Sequence, residues 1–357
     1  MSARTAAELW AVLTTAGLTS GDMPAPGEKH TPWYVRVMLG VAGLIAAVFL
    51  LGFIGVGVAF VIKSQTASIA VGLMVITASY AIFRLAPRND FSTMFALAVS
   101  LAGQALVIFG LFGMFSDSHG KRFPWGTIAL FEAALALIIP NFTHRAISAF
   151  GAGAAFGFAC GAWGANAIAP GVVAAAITYI WLNEMRLGRL HSVVTPIGYG
   201  LTLAFVLIEG MAQFGHTMMM VFGPRAQPAQ LAGIGETFVA LALFVSVWVL
   251  LKRAAWPLHG MRAALALVAA AVIGIATWKA PGIAGGLMIA LLGYSNGNRG
   301  LTALGIVALL MYVSSYYYLL ETTLLVKAGV LLATGLVLLA VRWVMLNVVM
   351  PSERTDA

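Results

Sequence analysis

Apolar residues form long runs along this chain, separated by short polar loops. Twelve runs are long or apolar enough to predict membrane-spanning helices. They lie near 37–62, 66–85, 92–114, 125–140, 146–164, 167–183, 195–221, 232–251, 261–278, 282–295, 300–319 and 323–345. The fourth, sixth and tenth are shorter than the roughly 20 residues that a spanning helix needs, so mergers or re-entrant segments stay open. The pattern predicts an all-α, polytopic helical membrane protein of about 12 transmembrane helices, which could be arranged as tandem helical hairpins.

The apolar stretch 301–346 must contain a turn, because one helix of that length would be about 70 Å long, roughly twice a bilayer core. Residues 321–323 supply the polar turn, and their threonines could cap a new helix. The tyrosines before this turn then lie at a membrane interface, which suits a ring in lipid and a hydroxyl in water. The alternative is a partner-docking or coupling surface made of Tyr316, Tyr317, Tyr318, Glu321 and Lys327.

The N-terminal 35 residues differ from the rest of the chain. Residues 4–18 are weakly amphipathic, and a Gly/Pro-rich linker follows them. A secretory signal would need a longer apolar run and a small-residue cleavage site. We therefore expect a short cytoplasmic helix on the membrane surface, with a partner-binding helix as the alternative. The predicted division is 1–35 for this segment and linker, 36–347 for the transmembrane domain and 348–357 for a cytoplasmic tail.

Composition supports the membrane class and narrows the partners. Of 357 residues, 61% are hydrophobic and 9% are charged, against about 25% charged residues in soluble domains. The net charge of +8 could suggest nucleic acid, but the basic residues stand singly in short loops and indicate topology signals and lipid contacts instead. The single cysteine, Cys160, excludes a disulfide framework and a CxxC metal site. We expect membrane lipids as partners, no nucleic acid, and no metal or other cofactor.

Loop charges predict the orientation. With a cytoplasmic N-terminus and twelve crossings, fourteen of the 20 Lys and Arg residues fall on the cytoplasmic side and six on the other. This bias follows the positive-inside rule, and adding or removing one span would erode it. We therefore expect a bacterial inner-membrane protein with both termini in the cytoplasm.

Small residues predict close helix packing. Gly153 and Gly157 form a GxxxG pair in the fifth run, where further glycines and alanines line the same stretch. Such faces let two helices approach closely. A glycine hinge is the alternative.

Polar residues inside the apolar runs are the candidate functional residues, because each charge at mid-membrane costs at least about 2.5 kcal/mol. The binding or coupling candidates are Glu132, Glu209, Gln213, His216 and Gln104. Of these, Glu209, Gln213 and His216 follow at i, i+4 and i+7, which places them on one helix face. For Gln104, in the third run, a structural hydrogen bond between helices is the alternative to a functional role. For Glu132 and Glu209, functional and structural roles are equally open. In the expected topology, Glu236 falls with other polar residues in the outer half of the bundle.

Motifs of soluble enzymes are missing from the sequence. It contains no P-loop, no HExxH and no Gly-x-Ser-x-Gly elbow. His144, His191 and His259 are expected in separate cytoplasmic loops, each near an arginine, where solvated interface residues could meet anionic headgroups. We therefore predict no catalytic residue.

Several segments resemble an uncharacterised proteobacterial membrane family, classed as a domain of unknown function. They are Leu9-Trp10, residues 32–36 (PWYVR), 86–90 (APRND), 100–104 (SLAGQ) and the C-terminal set Tyr316-Tyr317-Tyr318, Leu320, Thr323-Leu324-Leu325 and Lys327. This resemblance covers the chain nearly end to end. It implies a neighbour-encoded, membrane-anchored partner with a Gly-Asp-Tyr motif, but no activity. Glu321 departs from the neutral residue expected in the family.

These observations favour a small-solute or proton-coupled transporter, with Glu132 and Glu209 as coupling or binding carboxylates. A non-catalytic scaffold for the neighbour-encoded protein is the second hypothesis. An intramembrane enzyme acting on a lipid-linked substrate is the third, because paired carboxylates can perform acid/base chemistry.

Overall fold

The structure is a computed structural model that describes residues 3–17, 63–85, 90–119, 122–165, 167–222, 229–254, 260–278 and 280–319, with scattered positions elsewhere. Eleven α-helices form this part of the chain. They are α1 (Ala3–Thr15), α2 (Gln65–Leu85), α3 (Asp90–His119), α4 (Arg122–Ile138), α5 (Phe142–Ala162), α6 (Ile168–Leu182), α7 (His191–Phe222), α8 (Ala229–Arg253), α9 (Met261–Ala276), α10 (Ile283–Ser295) and α11 (Arg299–Leu319). The all-helical class is thus confirmed for the described residues.

Five of the helical segments are long and apolar enough to cross a membrane. They are Gln65–Leu85, Phe91–Phe115, Gly188–Ala212, Ile234–Arg253 and Arg299–Tyr317. Shorter apolar helices lie within α4, α6, α9 and α10, which agrees with the short fourth, sixth and tenth runs. These segments suggest a membrane protein, but the count of about twelve spans is not confirmed. The predicted first and last spans lie outside the described ranges, as does the predicted turn at 321–323.

The helices form two groups, each around its own apolar core. In the first group, α2, α3 and α4 bury a cluster that includes Ile76, Leu97 and Leu135. In the second group, α6, α7, α8, α10 and α11 surround a larger cluster that includes Trp181 and Phe205. Helix α5 packs on both α4 and α7, so it joins the two groups.

Small residues bring the helices close together, as the sequence predicted for α5. A Cβ on Gly153 would lie 2.6 Å from the Cβ of Ala204 in α7, and a Cβ on Gly157 would lie 2.9 Å from Ile208. The pair Gly72 and Gly103 makes an equally close crossing between α2 and α3, where either added Cβ would approach the other residue's carbonyl oxygen within 2.8 Å. Because glycine has no side chain, the helix backbones approach each other closely at these crossings, which increases the van der Waals contact between the helices.

Two local expectations need correction. His144 does not lie in a solvated loop: it belongs to the first turn of α5 and is fully buried. Asn141 starts this helix by accepting a hydrogen bond from the His144 backbone N–H, at 2.9 Å, so the helix begins four residues earlier than the apolar run. The seventh helix also begins earlier than its apolar run, which was predicted from residue 195, because α7 starts at His191 and contains Pro196.

Candidate functional site

Two buried glutamates meet between α7 and α8. Glu209 is 0% exposed and Glu236 is 5% exposed, and their carboxyl groups are close enough to interact electrostatically. Glu209 lies on the C-terminal half of α7, and Glu236 lies near the N-terminal end of α8. We call Glu209 and Glu236 the acid pair.

Tyr312 and Gly282 close the acid pair from the side of α10 and α11. The Tyr312 ring is fully buried, and its hydroxyl donates a hydrogen bond of 2.8 Å to the carbonyl of Val206, almost one turn before Glu209. Gly282 caps the N-terminus of α10 with a φ of 87°, and a Cβ there would lie 2.7 Å from the tyrosine ring. Its backbone N–H interacts with Glu209. Glycine therefore supplies both the left-handed conformation and the space for the ring.

The acid pair has few hydrogen-bond donors. Within the described residues, neither carboxyl oxygen of Glu209 has a donor in full hydrogen-bond geometry, so the Gly282 N–H is a weak, off-geometry contact. The hydroxyl of Tyr312 directs its hydrogen to Val206. Two ionised carboxylates buried close together repel each other strongly, and a proton on one of them would remove that repulsion. This arrangement can bind and release a proton, and its net charge changes when it does.

A second buried polar cluster lies in the first group of helices. Its members are Ser100 and Gln104 of α3, Glu132 of α4, and His144 and Ser148 of α5. All five are at most 4% exposed. We call this set the histidine cluster.

The histidine cluster is held together by short hydrogen bonds. The hydroxyl of Ser100 lies 2.8 Å from Nε2 of His144. The amide nitrogen of Gln104 lies 3.0 Å from the same ring nitrogen and 3.0 Å from Oγ of Ser148. The hydroxyl of Ser148 also interacts with the carboxyl of Glu132. The hydrogen bond between helices that the sequence predicted for Gln104 is therefore confirmed.

Residues 32–348 match the family described as "Domain of unknown function (DUF4401)". The chain belongs to this family. The DUF4401 region contains every residue of the acid pair and of the histidine cluster, whereas α1 precedes it. No curated protein and no solved structure matched the chain.

The structure separates the predicted site residues of the DUF4401 region into different places. Glu209 and Glu132 are buried in different clusters, and Gln104 accompanies Glu132. Gln213 and His216 continue α7 beyond Glu209, but their side chains lie outside the described part of the structure.

The predicted docking surface at the end of α11 is described only in part. Tyr316 is 38% exposed and Tyr317 is half-buried. The side chain of Tyr318 lies outside the description, as do Glu321 and Lys327. Its role as a docking surface stays a prediction.

Sequence reasoning missed the partners of both glutamates. Glu236 was placed only in the outer half of the bundle, and it lies nearer than Glu209 to the connection between the two helices, so position along the helices gave no signal for the pairing. The dipeptide Pro281-Gly282 is a turn signal that marks the start of α10. Tyr312 carried no signal, because a tyrosine in an apolar run looks like any other large core residue.

Proposed function

We propose that this protein is a proton-coupled transporter of a small solute, and that the acid pair is the site where proton binding and solute movement are linked. The observation that carries this proposal is the complete burial of Glu209 beside a second buried carboxyl, Glu236. Carboxyl groups inside apolar helical bundles are costly, and proton relays and ion paths are the roles in which proteins retain them.

The acid pair provides a physical basis for coupling. With a shared proton, the pair holds α7 and α8 together through a hydrogen bond. Loss of that proton leaves two negative charges in a region of low dielectric, where repulsion between them is strong. The helices must then separate, or water or a solute must enter between them. Since α10 and α11 contact the pair through Gly282 and Tyr312, a change at the pair reaches four helices.

The proposal includes the expected location in a bacterial inner membrane with both termini in the cytoplasm. It rests on the distribution of basic residues, fourteen on the cytoplasmic side and six on the other. In this orientation the acid pair lies toward the periplasmic end of the bundle. Reporter fusions after Leu18 and after Ser352 test it, and a periplasmic reading for either fusion would contradict it.

Reconstitution into proteoliposomes tests the transport proposal. Vesicles containing a pH-sensitive dye would be exposed to pools of small solutes, and uptake would be followed as a change of internal pH. We expect a solute-dependent proton flux that Glu209→Gln and Glu236→Gln each abolish. Glu184→Gln is the matched control. The Glu184 carboxyl accepts a hydrogen bond of 3.0 Å from the Asn296 side-chain amide, at a place separate from the acid pair. A flux that survives both substitutions in the acid pair would remove the proposal.

A further inference from the structure

Helices α5 and α7 are connected at the end where both begin. Proline has no backbone N–H, so Pro196 inside α7 leaves the carbonyl of Ser192 without its helical donor. Arg145, in the first turn of α5, supplies a donor instead, because its Nη1 donates to the Ser192 carbonyl at 2.9 Å. One turn further on, a Cβ on Gly200 would lie 2.7 Å from the Cβ of Ala149, so the two backbones are in close contact. The guanidinium of Arg145 is therefore held beside the first turn of α7.

Two further arginines lie in the connection between α6 and α7, residues 183–190. Arg186 and Arg189 are both exposed. Glu184 is the only acidic residue of this connection, and its carboxyl accepts a hydrogen bond from the side-chain amide of Asn296 at 3.0 Å. The carboxyl is thus directed toward the turn between α10 and α11, and the two exposed arginines give the connection a net positive charge.

Large apolar side chains are exposed around these arginines. Met185 is 91% exposed and Leu190 is 54% exposed, each next in sequence to an arginine. Phe142, almost one turn before Arg145 on α5, is 53% exposed. Basic groups combined with exposed apolar side chains are typical of a membrane interface, where the apolar groups enter the acyl region and the basic groups stay with the headgroups. The apolar side chains therefore indicate a lipid partner rather than a small anion dissolved in water.

We propose that Arg145, Arg186 and Arg189 form a binding surface for the phosphate of an anionic phospholipid. We call these three residues the arginine surface. Arg189 lies three residues before Ser192, whose carbonyl Arg145 contacts, so the start of α7 brings together basic residues from two parts of the chain. A guanidinium has parallel N–H donors that match the oxygens of a phosphate. Binding of this kind requires a membrane location but no transport activity, so it can be tested separately from the proton flux.

Native mass spectrometry of the purified protein tests the arginine surface, because it resolves each bound lipid by its mass. The protein would be titrated in detergent with phosphatidylglycerol and, separately, with phosphatidylcholine, which has no net charge. We expect phosphatidylglycerol to bind more tightly. Loss of one arginine should weaken this binding about five-fold, since a basic residue near an anionic lipid contributes about 1 kcal/mol and 1.4 kcal/mol is a factor of ten.

The exposed pair gives the clearest variant. Arg186→Gln combined with Arg189→Gln should weaken the tightest phosphatidylglycerol site about 25-fold, while lysine at both positions keeps the charge and should retain most of the affinity. Arg145→Gln should weaken the same site about five-fold. If that variant does not fold, because Ser192 loses its donor, the exposed pair still makes the test.

The matched control is Arg84→Gln combined with Lys252→Gln. Both residues are exposed and lie in the last turns of other helices, α2 and α8, so the control removes the same number of charges away from the arginine surface. It should leave the tightest phosphatidylglycerol site unchanged.

Several results would overturn the inference. Equal affinities for the two lipids would do so, and so would wild-type binding of phosphatidylglycerol in the variant that lacks Arg186 and Arg189. An equal loss in the control variant would show that binding follows the net charge of the protein rather than this surface. Displacement of the lipid by inorganic phosphate would assign the surface to a free anion and contradict a lipid partner.

Discussion

The histidine cluster and the acid pair are both buried among apolar helices, yet they differ in how their polar atoms are satisfied. The histidine cluster combines one carboxyl with four neutral side chains, and hydrogen bonds of 2.8 to 3.0 Å connect α3 with α5. The acid pair combines two carboxyls with one tyrosine whose hydroxyl is used elsewhere. Among the described residues, the serines, the amide and the imidazole of the first cluster therefore satisfy one another and only Oε2 of Glu132 lacks a partner, whereas both carboxyl oxygens of Glu209 lack one in the second.

This difference separates two effects that a buried glutamate can have. A satisfied network fixes the register of the helices that share it, because loss of any member leaves another buried group without a partner. Two buried acids with few hydrogen-bond donors are stable together only while a proton neutralises one of them, because the two ionised groups repel each other. We therefore expect substitutions in the two places to change stability and transport in opposite ways.

The largest expected effect concerns the glycine beside the acid pair. Gly282→Ala should destabilise the protein by about 3 kcal/mol, because the new methyl group meets the Tyr312 ring at 2.7 Å and the left-handed conformation adds about 1 kcal/mol. Gly297→Ala is the matched control: its φ is 65° and nothing lies within 4 Å of an added Cβ, so we expect about 1 kcal/mol. The free energy of unfolding in mixed micelles measures both. Equal losses would show that the ring contact has no role.

The next largest effect is a change in stability that should differ between the two clusters. Gln104→Leu removes the amide's hydrogen bonds to Nε2 of His144 and to Oγ of Ser148, which costs about 1–3 kcal/mol in this buried cluster. Glu209→Gln replaces one acid of the acid pair by an amide that can donate to Glu236, so stability should be unchanged or increased. Thermal unfolding in detergent compares the two variants. A Glu209→Gln protein that is as destabilised as Gln104→Leu would contradict the contrast between the clusters.

The smallest effect on stability concerns tyrosine hydroxyls. Tyr312→Phe removes the hydrogen bond to Val206 and should cost about 1 kcal/mol, while the ring still fills the space beside Gly282. Tyr199→Phe removes a comparable bond of 2.7 Å, to Asn298, and should cost a similar amount. In the flux assay we expect only the Tyr312 variant to change transport. A similar change in both would assign the effect to general loss of stability.

The sequence was sufficient to predict the helical class, the approximate positions of the described helices and the close packing at Gly153 and Gly157. Those features depend on apolar periodicity and residue size, which are local properties of a segment. The partner of each buried polar group depends on which helices become neighbours, and this is decided by packing across the whole bundle. For this reason Glu209 could be identified as unusual, while its pairing with Glu236 could not be derived from its i+4 and i+7 neighbours.

His144 shows the same limit from the other direction. Its position beside Asn141 and Arg145 resembles a loop in the sequence, and a histidine near a basic residue is typical of a membrane interface. The structure buries it because α5 begins earlier and turns this side chain toward α3, where Ser100 and Gln104 supply donors. The donors come from a helix about 40 residues away in sequence. A local pattern therefore could not show that the ring would be satisfied in the interior.

The central claim is that the acid pair holds one shared proton, and infrared spectroscopy of the purified protein at neutral pH tests it most directly. Spectra of the wild type would be compared with Glu209→Gln, Glu236→Gln and the double variant. One shared proton predicts that each single variant loses the same carboxyl band, because the remaining acid ionises beside the new amide. The double variant should then lose no more than either single variant. Loss of no band would contradict the account, and so would two separate bands that the double variant loses together.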